Sequence, residues 1–230
     1  MSTCIPLLYV EGPDDIVVIN SLLKHHGVDT KGGNQHLIIK AQGNDDKVLT
    51  NMVESLKSAT DKPVGFVLDI DTASSSRWDQ VCARLRSVGV IPPHTCPLDG
   101  FISNLPDYKC DFGVWLMPDC KTDGERLEDF CISLIPDCPL WASAKEATNK
   151  AAEIADEYNG KLLPGGRRCK RFKPIHLTKA YLHTWLAWQN EPGSALGAAI
   201  NGLILTHNST CATAFLKWLR KLYGFPRLVV

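Results

Sequence analysis

The sequence has no excess of either charge, no Cys-x-x-Cys pair and no apolar run long enough to span a bilayer. Lysine and arginine together number 25, as do aspartate and glutamate, so net charge identifies no partner and only local clusters are informative. The longest apolar stretch, around residues 196–205, is short and contains glycine, which predicts no membrane span. No basic segment precedes the first apolar run, so no secretory signal is expected.

The nine cysteines are an odd number in a chain of 230 residues. Secreted disulfide frameworks usually have an even number of cysteines in a shorter chain. Reduced thiols and a cytoplasmic location are therefore the better interpretation. The spacings of His94, Cys96, Cys110 and Cys120 match no standard zinc pattern, so we expect buried thiols rather than zinc ligands there.

Short apolar runs alternate with amphipathic segments in the first ninety residues. Strands are predicted over residues 5–10, 37–41 and 64–70, and helices over residues 14–26, 45–58 and 76–88. Continuous apolar strands that alternate with helices are typical of a parallel sheet with helices on both faces. The predicted fold class is therefore α/β, with a Rossmann-like parallel sheet.

The remaining chain has a different pattern. Residues 92–106 are rich in proline and predict a loop, and a fourth strand is predicted over residues 114–117. From residue 127 onward the predicted elements are helices. We predict an α/β core over residues 1–140 and a helical C-terminal extension over residues 141–230, packed on the core.

Acidic residues stand at the ends of two predicted strands. Glu11 and Asp15 lie within five residues of the first strand, and Asp69 and Asp71 end the third. In open parallel sheets, ligands bind beyond the carboxyl ends of the strands, and residues two apart on an extended chain share a face. If the two strands are neighbours, these four carboxylates lie close together.

The negative charges of clustered carboxylates repel one another and must be offset. Like charges about 5 Å apart repel by roughly 3 kcal/mol per pair at an effective dielectric constant near 20. The cluster must therefore bind a cation or become partly protonated. A set of oxygen ligands favours Mg²⁺ or Mn²⁺ over zinc. For a single residue such as Asp14, stabilisation of a helix N-terminus is the simpler explanation.

Two motifs resemble the Toprim domain of topoisomerases, primases and OLD-family nucleases. They are VEGPDD at residues 10–15 and VLDID at residues 67–71, and their context covers residues 5–89. The resemblance implies a Toprim-like α/β fold and metal-dependent work on nucleic acid. Farther along, the sequence resembles a standalone, uncharacterised branch of Toprim-like bacterial proteins, at residues 114–119, 127–130 and 183–189.

The resemblance also implies roles for individual residues. In Toprim domains the glutamate after the first strand is a metal ligand or general acid/base, which is Glu11 here. The Asp-x-Asp pair binds metal, which implies that role for Asp69 and Asp71. The nuclease branch has a further acid four residues after the glutamate, matched by Asp15.

Further candidates lie outside these motifs. Asp119 follows the fourth strand and Glu128 comes shortly after it, so both are candidate ligands of a second metal, although a solvated helix start is the alternative. Lys179 shares a helix face with His176 and His183 and is a candidate for stabilising phosphate charge in catalysis. The two histidines are as readily explained by packing.

A dense basic segment occurs near residue 170. Its five cations are Arg167, Arg168, Lys170, Arg171 and Lys173. Such a density, with an aromatic residue between the cations, is suited to neutralising nucleic-acid phosphates. The alternative is a solvated loop.

These patterns favour a metal-dependent nuclease that uses Mg²⁺ or Mn²⁺ to cleave DNA or RNA. One alternative is a non-catalytic nucleic-acid-binding or regulatory subunit. This subunit would work beside an ATPase partner, which must supply any ATP hydrolysis because the chain has no Gly-x-x-x-x-Gly-Lys phosphate loop of its own. Another alternative is a phosphoacceptor signalling domain, with Asp69 as acceptor and Asp14 and Asp15 as metal ligands.

Overall fold

The computed structural model describes residues 5–32, 35–58, 62–71, 74–105, 110–123, 126–162, 164–168 and 170–225. Within these residues the strands are β1 (Leu7–Val10), β2 (Ile38–Ala41), β3 (Val64–Asp69), β4 (Phe101–Asn104) and β5 (Asp111–Met117). The helices are α1 (Pro13–His25), α2 (Asp45–Ser58), α3 (Ser74–Arg86), α4 (Leu127–Ser133), α5 (Pro139–Tyr158), α6 (Leu177–Ala187), α7 (Leu196–Asn201) and α8 (Thr210–Tyr223). A short 3₁₀ helix, Pro174–His176, precedes α6.

The strands form one sheet in the order β2-β1-β3-β5-β4, and every pairing except that of β4 with β5 is parallel. The predicted α/β fold class, with a mostly parallel sheet flanked by helices, is confirmed. β1 pairs with β3 through Leu7 and Val64, so the first and third predicted strands are neighbours, as the site prediction required. No helix in the described part of the chain is long and apolar enough to cross a membrane.

One local prediction was wrong. The proline-rich segment at residues 92–106 was expected to be a loop throughout, but Phe101–Asn104 forms the antiparallel edge strand β4. This strand has four residues and ends in the polar pair Ser103 and Asn104, so it shows no continuous apolar pattern. Only its pairing with β5 defines it.

The chain divides into two units, Met1–Leu134 with Leu196–Val230, and Ile135–Ala195. We call the first the core unit and the second the helical unit. The division differs from the predicted extension over residues 141–230, because α7 and α8 belong to the core unit.

Helix α8 belongs to the core unit because it packs directly on the sheet. Phe215 and Trp218 of α8 contact Trp115 of β5, with ring centroids 5.4 and 5.8 Å apart. A Cβ atom added at Gly113 of β5 would lie 2.9 Å from side-chain atoms of both Leu222 and Trp218. Such separations are shorter than normal van der Waals contact, so glycine is what allows the helix to approach the strand.

The helical unit consists mainly of α5 and α6. Thr148 of α5 donates a 2.8 Å hydrogen bond to the hydroxyl of Thr184 of α6, and the rings of Trp141 and Tyr181 meet edge to face. This unit contains Lys179 and the basic segment.

Candidate acidic site at the carboxyl end of the sheet

Glu11, Asp15 and Asp69 meet where β1 and β3 end. Glu11 follows β1 directly, Asp69 is the last residue of β3, and Asp15 lies in the first turn of α1. That helix begins at Pro13, whose fixed φ suits a first helical position, and the Asp15 carboxylate accepts a 2.9 Å hydrogen bond from the N–H of Gly12. The short turn therefore brings the helix start beside the strand ends.

Hydrogen bonds link these carboxylates to β3 and to α4. Glu11 Oε1 accepts a 2.8 Å bond from the N–H of Asp69. Asp69 Oδ1 in turn accepts a 3.0 Å bond from the N–H of Leu127, the first residue of α4. Glu128, the next residue of α4, is close enough for its charge to act on Asp15 and Asp69. We call Glu11, Asp15, Asp69 and Glu128 the acidic site.

Burial is the main influence on the acidic site. Burial, with smaller contributions from nearby carboxylates, raises the pKa of Glu11 from 4.5 to about 7. The same causes raise the pKa of Asp15 to about 6 and the pKa of Asp69 well above its ordinary value. Without a cation these three carboxyls therefore keep their protons to a higher pH than free carboxyls do.

Asp71 has a different environment. Its Oδ1 lies 2.6 Å from Nε of Arg126, and its Oδ2 lies 3.0 Å from a guanidinium nitrogen of Arg77. Arg77 is buried and also forms a 2.8 Å ion pair with Asp45. Burial of Asp45 acts to raise its pKa, but the bonds to Arg77 outweigh burial and the pKa of Asp45 is lowered. Asp71 also has a φ of 59°, a left-handed conformation that costs free energy in a residue other than glycine. Two arginines thus compensate a carboxylate that the sequence motif predicted as a metal ligand.

Asp119 and Asp129 are engaged in local structure. Asp119 accepts hydrogen bonds from the N–H groups of Lys121 and Thr122 and from the Thr122 hydroxyl, at 3.0 to 3.1 Å, and so stabilises the turn after β5. Asp129 accepts a 3.0 Å bond from the N–H of Arg126 at the start of α4. Among Asp119, Glu128 and Asp129, the structure brings Glu128 to the acidic site.

The side chains of the acidic site offer only oxygen atoms, which are the donors that hard cations prefer. No group of three His, Cys, Asp or Glu side chains arranged to hold a metal was found among the residues that the structure describes. Mg²⁺ does not require such a group, because it retains several waters and is commonly held by one or two carboxylates. The raised pKa values reflect burial and repulsion, both of which a divalent cation would offset.

The remaining candidates lie in the helical unit. Lys179 is in the first turn of α6. In the basic segment, Arg171 forms a 2.6 Å ion pair with Asp156, and Arg168 donates a 2.8 Å hydrogen bond to the carbonyl of Gly160. The exposed members of the segment are Arg167, Arg168, Lys170 and Lys173. Most of its charge therefore faces solvent.

The sequence prediction missed the two arginines that hold Asp71. Arg77 lies on α3 and Arg126 immediately before α4, and neither belongs to a recognisable motif. The sequence contained a signal for Arg77 alone, because this arginine lies on the apolar face of a helix beside Trp78. In the structure 5% of its surface is exposed. A buried arginine requires a carboxylate partner.

Comparison with known proteins gives one family match. No curated protein and no solved structure matches the chain. A family model with the description "Protein of unknown function (DUF3226)" matches residues 5–224 and so spans both units. The chain therefore belongs to the DUF3226 family of proteins of unknown function.

Proposed function

We propose that the protein is a Toprim-like, metal-dependent nuclease that cleaves DNA or RNA phosphodiesters with Mg²⁺ or Mn²⁺ at the acidic site. The observation that carries the proposal is the meeting of Glu11, Asp15 and Asp69 at the carboxyl end of a parallel sheet, with all three pKa values raised. Buried, oxygen-rich sites of this kind are suited to a divalent cation.

The side chains of the acidic site have separate roles in this proposal. A bound divalent ion would supply stabilisation of the negative charge that develops on the phosphate. Glu11, with a pKa of about 7, is suited to accept or return a proton near neutral pH. The bond from Leu127 orients the Asp69 carboxylate toward one rotamer. Asp71 becomes a ligand only if it releases Arg126 or Arg77.

Nucleic acid is the proposed partner because the basic segment offers exposed cations. Arg167, Lys170 and Lys173 are exposed on the helical unit. Cations of this density attract phosphate backbones without regard to sequence. Lys179 is proposed to assist phosphate binding, because it is an exposed cation in the first turn of α6.

We extend the proposal to a cytoplasmic location on the evidence of the thiols. Among the described residues, the thiols of Cys82, Cys96, Cys120, Cys131 and Cys138 form no disulfide. Several reduced thiols in one chain are typical of reducing compartments.

The ion pairs of Asp71 favour one second candidate, a non-catalytic nucleic-acid-binding or regulatory subunit that works beside an ATPase. An Asp71 kept between Arg77 and Arg126 contributes to stability and not to metal binding. In that case the acidic site holds protons and stabilises the strand ends. A phosphoacceptor role for Asp69 has less support, because burial raises the pKa of this carboxyl and so favours its protonated form, which is the weaker nucleophile.

A cleavage assay on mixed single- and double-stranded DNA and RNA tests the proposal, with Mg²⁺, Mn²⁺ or a chelator present. We expect metal-dependent cleavage that is lost in Asp69→Asn and Glu11→Gln. The matched control is Asp79→Asn, an exposed carboxylate on α3, which should cleave as wild type. Metal binding and nucleic-acid binding without cleavage would instead identify the regulatory subunit, and absence of metal binding would overturn the nuclease proposal.

A further inference from the structure

The core unit contains a cavity of about 490 Å³ whose residues take no part in the acidic site. It lies between the C-terminal half of α1, the loop that follows and α7, and this volume is in the range of small-molecule sites. Lys24 in the cavity and Asp15 in the acidic site are nine residues apart on α1. At 1.5 Å per residue these two residues are separated by about 14 Å along the helix, so the cavity is separate from the acidic site.

Polar side chains converge on this cavity. Asn20, Ser21 and Asn201 line it, and the Asn201 amide donates a 3.0 Å hydrogen bond to the hydroxyl of Ser21. The Oδ1 atom of Asn20 is buried and has no hydrogen-bond partner among the described residues. A buried acceptor without a partner destabilises the fold, and a donor on a ligand would offset that cost.

The charge of the cavity is positive. Lys24 and Lys31 both line it and both are exposed. The carboxylate in the lining, that of Asp29, accepts a 3.0 Å hydrogen bond from the N–H of Lys31 and so holds the loop. Two ammonium groups with hydroxyl and amide groups nearby match a ligand that has one anionic end and several hydroxyls.

We propose that this cavity binds a small phosphorylated polyhydroxyl compound, either a sugar phosphate or a nucleoside monophosphate. The phosphate lies between Lys24 and Lys31, and a ligand hydroxyl donates to the Asn20 amide oxygen. Ser21 and Asn201 bind the remaining hydroxyls. This proposal is independent of the nuclease proposal, because it uses none of the residues of the acidic site.

Titration of the full chain with ribose 5-phosphate, adenosine 5′-monophosphate, ribose and inorganic phosphate tests the proposal, by calorimetry and by thermal unfolding. We expect saturable binding of both phosphorylated sugars and a rise in Tm, with ribose and inorganic phosphate at least tenfold weaker. Tighter binding of the monophosphate than of ribose 5-phosphate would identify a nucleotide site, and equal binding a sugar phosphate site. Equal binding of inorganic phosphate or of ribose, or absence of saturable binding, would overturn the proposal.

Two variants connect the binding to the cavity. Lys24→Gln removes one ammonium and should weaken ribose 5-phosphate at least tenfold, whereas Lys217→Gln, an exposed lysine on α8, should leave it unchanged. Asn20→Leu removes the buried acceptor, so it should abolish the rise in Tm without lowering the Tm of the free protein. Binding that survives in both cavity variants would contradict the assignment.

Discussion

The N–H of Asp69 donates a 2.8 Å hydrogen bond to Oε1 of Glu11, which joins the end of β3 to the residue after β1. This bond favours the charged form of Glu11, but burial outweighs it, and the pKa of Glu11 is about 7. A proton and a cation therefore compete for the same carboxyl near neutral pH. Several of the following predictions depend on that competition.

Divalent metal should stabilise the protein. If Mg²⁺ or Mn²⁺ binds only the native state, a hundredfold excess over Kd raises the free energy of unfolding by roughly 2.7 kcal/mol. Asp69→Asn should remove this effect, and Asp79→Asn should retain it. Thermal unfolding with and without millimolar metal is the measurement. An unchanged Tm in the wild type would count against a metal at the acidic site.

The metal-free protein should lose stability as pH rises through the acidic site's titration. The Glu11 carboxyl titrates near 4.5 when unfolded and near 7 when folded, so the folded state binds more protons between these values. The free energy of unfolding should therefore fall by on the order of 2 kcal/mol from pH 4.5 to 7.5, after allowance for partial solvent exposure. Glu11→Gln should flatten this fall in urea unfolding at a series of pH values. Identical slopes for variant and wild type would show that Glu11 is not the titrating group.

Arg126→Gln should lower the stability of the protein and raise its affinity for metal. It removes the 2.6 Å ion pair with Asp71, which should lower the free energy of unfolding by about 1–3 kcal/mol. The Asp71 carboxylate then keeps Arg77 but loses Arg126 as a partner, so its less compensated negative charge beside the site should strengthen Mg²⁺ binding several-fold. Calorimetric titration measures the affinity. If Asp71→Asn in the same background leaves the affinity unchanged, Asp71 does not reach the metal.

The basic segment should control nucleic-acid affinity without affecting the metal. Replacing Arg167, Arg168, Lys170 and Arg171 with alanine should weaken binding and reduce its salt dependence by up to about 0.9 log units per lost duplex contact. Arg171→Ala alone should have a smaller effect, because Arg171 already pairs with Asp156. Fluorescence anisotropy over a salt series is the measurement. Unchanged binding by the fourfold variant would mean that the segment is only a solvated loop.

A side chain at Gly113 should destabilise the core unit. Gly113→Val places methyl groups where Leu222 and Trp218 leave no space, and overpacking of this kind costs about 1–3 kcal/mol. Urea unfolding should show a lower midpoint with an unchanged m-value. Wild-type stability would mean that α8 shifts freely over β5.

The fold class could be predicted because its signal is local. Continuous apolar strands such as Val64–Asp69 and the helices between them show their period within a few residues. The edge strand Phe101–Asn104 and the place of α8 in the core unit could not be predicted, because both depend on partners distant in the sequence. The glycine that admits α8, Gly113, resembles any other glycine within a strand until the helix is present.

The candidate site could likewise be predicted from the sequence only in part. Glu11 and Asp69 follow from a general rule, since the carboxyl ends of adjacent parallel strands coincide. The pairing of Asp71 with Arg126 joins residues about 55 positions apart and has no periodic signal. Asp119, which follows a strand like the others, bonds instead to its own turn through Thr122. Position at a strand end is thus not sufficient for membership of the acidic site, and Asp15 and Glu128 belong to it from helices.

The core unit consists of two separate stretches of the chain, so the ribosome makes its two parts at different times. Roughly ninety residues, including the whole helical unit, separate the end of β5 from the start of α8. At about 5–20 residues per second, the ribosome needs roughly 5 to 20 s to make them. Throughout that interval the face of β5 that carries Gly113 and Trp115 has no α8 to cover it. A nascent chain stalled before Thr210 should therefore expose this aromatic surface to chaperones.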